Sequence, residues 1–101
     1  MKIPSKLKVG GHTYKVIKNF KFTQEPKLVG QADHDLGEIR VSPYESSGNH
    51  RISSRVEETF IHEILHCINN VYNENKFIEE DIGRLSQGLY QVLKDNRLLR
   101  E

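Results

Sequence analysis

All three prolines and five of the seven glycines lie before residue 53; only Gly83 and Gly88 come after it. Pro and Gly are the strongest local punctuation in a chain, so the first half must turn often while the second is free to run as helix. In the first half Leu7, Val9, Tyr14 and Val16 alternate with polar neighbours on either side of Gly10-Gly11-His12. Gly-Gly supplies the positive φ angles that a tight hairpin turn needs. A second pair of extended segments, 28–32 and 38–42, flanks Asp35-Leu36-Gly37. Its return strand sets Ile39 and Val41 on one face, and Pro43 ends it because proline cannot donate to a ladder. Residues 45–53 read as a polar loop.

The second half carries helical periodicity. Ser54 and Glu57 have the spacing of a capping box, and Val56, Phe60, Ile64, Leu65, Ile68, Val71 and Tyr72 then recur at helical intervals, predicting a helix over 53–73. Residues 73–76 (NENK) break the pattern. A second helix is predicted over 77–97, with Ile78, Ile82, Leu85, Leu89, Val92 and Leu93 on its buried stripe. The expectation is therefore one α+β domain over 1–101: a β-rich part, 1–52, made of two hairpins in a small antiparallel sheet, followed by two α-helices.

Charge and composition exclude several classes of function. Fifteen Lys and Arg face fourteen Asp and Glu, a formal charge of +1, which lacks the basic footprint of a nucleic-acid-binding chain. No apolar run is long enough to span a bilayer. The start, MKIPSKLKVGG, is basic but has no apolar stretch behind it, so it does not read as a secretory signal. One cysteine, Cys67, gives no internal disulfide. The location expected from these features is cytoplasmic.

Chemistry is concentrated in His62-Glu63-Ile64-Leu65-His66, an HExxH inside the first predicted helix. Positions i and i+4 differ by about 40° around a helix and about 6 Å along it, so both imidazoles leave one face and can reach one metal at about 2.0–2.1 Å. Glu63 lies about 100° round from His62, beside such a metal, where it can act as general base toward water held there. A zinc site needs a third protein ligand. The acids Glu79-Glu80-Asp81 open the second helix. With Ile82 at zero, the apolar stripe centres at about 330°, Glu79 lies at about 60°, Glu80 at about 160° and Asp81 at about 260°. Glu79 is the preferred ligand, with Glu80 in reserve. His34 and His50 are alternatives that approach the metal or a bound carbonyl if their loops fold over the site, and Tyr44 is a possible oxyanion donor. His12 reads as solvated, Cys67 as a buried core residue, and Tyr90 as too far along the helix to reach the centre.

With HEILH on one helix and acids opening the next, the chain resembles a minimal gluzincin, or minigluzincin, zinc metallopeptidase, and more closely the short HExxH proteins of phages and prophages. The resemblance extends over residues 8–16 (KVGGHTYKV), 36–41 (LGEIRV), 58–66 (ETFIHEILH) and 88–96 (GLYQVLKDN). It implies a minimal zincin-like fold and one zinc per chain, held by His62, His66 and a second-helix glutamate, with Glu63 as general base. It also implies a peptide or protein substrate paired along an edge strand, 38–42 or 28–34, and, for a phage protein, residence in the host bacterial cytoplasm. Two departures stand out. Gly83 occupies the position where longer gluzincins carry Asp, and no His or Tyr follows at the spacing of the usual transition-state donor. The competing expectation is a catalytically silent, zinc-stabilised module that binds a protein partner.

Overall fold

Gly10 takes φ +60° and, with Gly11, closes the turn between β1 (Lys6–Val9) and β2 (His12–Ile17), whose register pairs Val9 with His12. Gly37, at φ +65°, does the same between β3 (Gly30–Asp33) and β4 (Glu38–Val41), where Asp33 also caps its own turn by accepting the Leu36 N–H at 3.0 Å. The structure, a computed structural model, describes residues 1–99. After β4 come two helices, α1 (Ser53–Tyr72) and α2 (Glu79–Asp95), so the order of elements is that of an α+β fold.

Both expected hairpins form, but the sheet that joins them is mixed rather than antiparallel throughout. Its order is β1-β2-β4-β3, and β2 pairs with β4 in parallel, Val16 opposite Ile39. The cause is hydrophobic. β4 contributes Ile39 and Val41, neither with any exposed surface, and takes the interior position. β3, sequence GQAD, is left at the edge. Residues 38–42 are thereby removed as a candidate edge strand, and only the segment containing β3 remains.

Tyr14, Val16, Ile39 and Val41 point to one face and pack with Val9 against Phe60 and Cys67 of α1. Beside them on β4 and β3, Arg40 donates to Gln31 at 2.6 Å and to Glu38 at 2.7 Å. The capping box expected at Ser54 is absent: α1 begins at Ser53 with Ile52 as its N-cap and no side-chain cap. The Ile52 carbonyl accepts the N–H groups of Arg55 and Val56, and Glu57 is drawn elsewhere, to the Tyr90 hydroxyl at 2.6 Å and the N-terminal ammonium at 3.6 Å.

α2 packs against α1 and no strand. Its rotation differs from the expected one. The inward residues are Ile82, Ser86 and Tyr90, while Ile78, Leu85, Leu89 and Val92 are 39–60% exposed. With Ile82 again at zero, that inward face centres at about 40°, about 70° away from the apolar stripe. Polar contacts made by Glu79, Ser86 and Tyr90 to α1 set the rotation, since no second layer covers the apolar ridge. No helix among the described residues is long and apolar enough to cross a membrane.

The turn between the helices is held by Asn69. It is buried; its Oδ1 accepts the Phe77 N–H at 3.1 Å and its Nδ2 donates to the Phe77 carbonyl at 3.1 Å. Asn69→Ala removes both bonds, at a net cost of about 0.5–1.5 kcal/mol each, since Phe77 is exposed enough for water to replace them in part. It is expected to lower the urea midpoint and also to weaken metal binding, because the same contacts set where α2 begins. An unchanged metal affinity in the destabilised variant would show that α2 finds its place without this clamp.

Candidate metal centre

His62 and His66 leave α1 on one face, as the i, i+4 spacing requires, and their rings stand 4.9 Å apart. Their Nε2 atoms face each other at 3.2 Å. Glu79, the first residue of α2, reaches across and sets one carboxylate oxygen 2.8 Å from each: Oε1 at His62 and Oε2 at His66. Glu79, at about 60°, is about 20° from the centre of the observed inward face, closer than the expected phase of the helix put it. Glu80 is exposed and takes no part. Among the described residues these three form one group whose ligand atoms lie within 4.8 Å of one another.

The group fits a metal ion. Two donors on a tetrahedral ion at about 2.0–2.1 Å stand roughly 3.3–3.4 Å apart; the two imidazole nitrogens stand 3.2 Å apart, and each lies 2.8 Å from a different oxygen of Glu79. Burial holds the His66 pKa below its ordinary value, which favours the neutral imidazole that a metal needs. Ser86, 1% exposed, lies with Oγ 3.4 Å from His62 Nδ1 and donates its own proton to the Gly83 carbonyl at 3.0 Å. With a metal on Nε2 in place of the 2.8 Å contact to Glu79 Oε1, Ser86 Oγ is the acceptor for Nδ1–H, the outer contact usual for a metal-binding histidine.

Glu63 is the anomaly. It is 5% exposed, no protein group within the described residues bonds its carboxylate, and the oxygens keep contact with the cleft. Burial first, and then the negative charge of Glu79, push its pKa up to about 8. Two carboxylates this close in a largely desolvated site repel each other, and a cation near both would relieve that repulsion.

Glu63 opens onto a cleft of about 710 Å³ lined also by Gly30, His34, Thr59, Glu79 and Ser86. Its far wall is β3, whose outer edge has no strand partner. Gly30 is required at that wall: a Cβ there would stand 2.6 Å from Glu63 Oε2 and 2.6 Å from Thr59 Cγ2. Gly30→Ala is expected to displace the Glu63 carboxylate or push β3 outward, narrowing the cleft. The effect should appear as weaker binding of any peptide to the metal-loaded protein, with metal content kept. Unchanged peptide binding would mean that the strand gives way without cost.

Of the other candidates, His34 lines the cleft and His50 does not; His50 bridges to Tyr44, with the rings 4.9 Å apart, in a separate loop. Tyr44 accordingly lies away from the centre. Cys67 is buried, and burial pushes its thiol up to about 11. Tyr90 serves Glu57 rather than the centre. Sequence reasoning misses Gly30, Asn69 and Ser86. The glycine interrupting a strand is a signal for Gly30; Ser86 becomes visible only once the rotation of α2 is known.

Comparison of the chain with protein-family models, with curated proteins and with solved structures gives no match.

Proposed function

We propose that this chain is a zinc-dependent peptidase of the minimal gluzincin type, with one zinc held by His62, His66 and Glu79. The observation that carries the reading is the place of Glu63, 5% exposed and opening onto the cleft beside a three-donor group. A structural zinc is closed by four protein ligands and has no use for a further carboxylate at its side, whereas hydrolysis needs a base there. When bound, zinc supplies Lewis acidity toward a carbonyl oxygen and lowers the pKa of water.

The residues of the chain do the rest. An extended peptide adds to the open edge of β3, which places its backbone along the cleft and its scissile carbonyl over the centre. Glu63 accepts a proton from the attacking water as the new C–O bond forms at the carbonyl carbon. It returns that proton to the amide nitrogen as the C–N bond breaks, and the remaining water proton passes from the new carboxylic acid to the amine, so the products are a carboxylate and an ammonium and the carboxylate of Glu63 is regenerated. Gly30 keeps that carboxylate free to move between the two positions.

The test is metal analysis of protein purified without added zinc, followed by exposure to a peptide library with and without chelator. One zinc per chain and chelator-sensitive cleavage are expected. Stoichiometric zinc with no cleavage of any peptide would favour the silent binding module, in which metal serves only to tie α2 to α1.

A further inference from the structure

A hydrolytic centre needs more than a base: negative charge develops on the carbonyl oxygen, and a positioned N–H or O–H donor aimed at that oxygen is usually among the largest contributions. His34 is placed to supply one. It follows β3 directly, at the rim of the cleft that also holds His62, Glu63 and His66. Its ring meets Tyr14 edge-on, with centroids 6.0 Å apart and planes at 87°, and its Nδ1 lies 2.9 Å from the Tyr14 hydroxyl. Nε2 has no partner among the described residues.

Tyr14 decides which nitrogen carries the proton. The Tyr14 residue is 2% exposed, so its hydroxyl cannot turn to bulk water; its other polar neighbour is the thiol of Cys67. Sulfur is a weak acceptor, whereas an imidazole nitrogen is a strong one, so the phenol O–H goes to Nδ1. Nδ1 then has no proton of its own, and the neutral ring must carry its proton on Nε2. Tyr14 fixes the Nδ1 end of the ring, and the residue lines the cleft.

We propose that His34 is a catalytic residue, donating a hydrogen bond from Nε2–H to the carbonyl oxygen of the bound substrate as that oxygen becomes negative, and that Tyr14 is the positioning residue that holds it in this tautomer. No proton is transferred in this contact; the proton traffic remains with Glu63. The assignment rests on the peptidase reading, and its substrate contact is to a peptide carbonyl lying along β3.

The experiment uses the full chain loaded with zinc. Long-range proton–nitrogen NMR is expected to find His34 in the Nε2–H form, and in Tyr14→Phe a mixture of tautomers; the Nδ1–H form in wild type would overturn the proposal. His34→Ala should lower kcat by about 10²–10³-fold, the scale for one oxyanion donor, with KM within about threefold and zinc content unchanged. His34→Gln, which keeps an N–H, should recover part of the loss. Unchanged kcat in His34→Ala, or loss of its zinc, would overturn the donor role, the latter by making His34 a ligand. Should wild type cleave nothing, the peptidase reading fails separately. Binding of a peptide phosphonamidate, whose tetrahedral oxygens stand in for the developing oxyanion, then still decides on His34. Weaker binding by His34→Ala supports the contact, and equal binding removes it.

Discussion

Glu63→Gln is expected to keep its zinc and lose cleavage by about 10²–10⁴-fold, the range that a positioned general base supplies. The glutamine has the shape of the acid and fits against Gly30, but it cannot take the proton of the attacking water. The measurement is kcat for both proteins with metal content determined on the same samples; equal rates would place the base elsewhere. A companion effect belongs to the metal-free state. Glu63 has a folded pKa of about 8 against an ordinary 4.5, so the folded chain binds the extra proton between those values. Stability of wild type in chelator should therefore be fully present below pH 4.5 and fall as pH rises toward 8, while Glu63→Gln should lack this component of the decline. Urea midpoints across that range read it directly.

Glu79→Ala should weaken zinc binding by more than the roughly 10–100-fold that loss of an outer partner costs, because it removes a ligand rather than its support. Glu80→Ala should change affinity little. The two side chains diverge by about 100° around α2, and only Glu79 lies against both imidazoles. His62→Ala and His66→Ala should be at least as damaging as Glu79→Ala. Competition titration with a chromophoric chelator gives all four affinities. A larger effect at Glu80 than at Glu79 would mean that α2 turns on its axis when metal enters.

The parts of this fold legible in the sequence are those governed by local rules. The Gly10 and Gly37 turns, the alternation of Ile39 and Val41, and the helical face shared by His62 and His66 are set by residues within a few positions of one another. The parts that are not legible depend on distant partners. Placing β4 rather than β3 against β2 compares two strands for one interior site, and neither hairpin alone records the outcome. The rotation of α2 escapes the sequence because an apolar stripe is expected to face inward. In the structure Ser86 and Tyr90 face inward to meet His62 and Glu57, and the leucines of the stripe are half exposed. The helix phase read from the stripe is about 70° off, and Glu79 survives as the choice because it stands on the α1-facing flank in both phasings.

That α2 rests on α1 alone makes the metal a gauge of local unfolding. With no strand beneath it, the free energy for lifting this helix away is small compared with that for unfolding the sheet, and a ligand bound across the two helices adds the same increment to every opening that separates them, local or global. At a free zinc concentration of about one hundred times Kd the increment is about 2.7 kcal/mol. Amide hydrogens of α2 should then exchange more slowly as free zinc rises above Kd, while those that exchange through openings which leave the two helices together, such as fraying of β1, do not change. Proteolytic nicking in the 73–78 connection should follow the same curve, so the lifetime of the intact chain would be set by the zinc available to it.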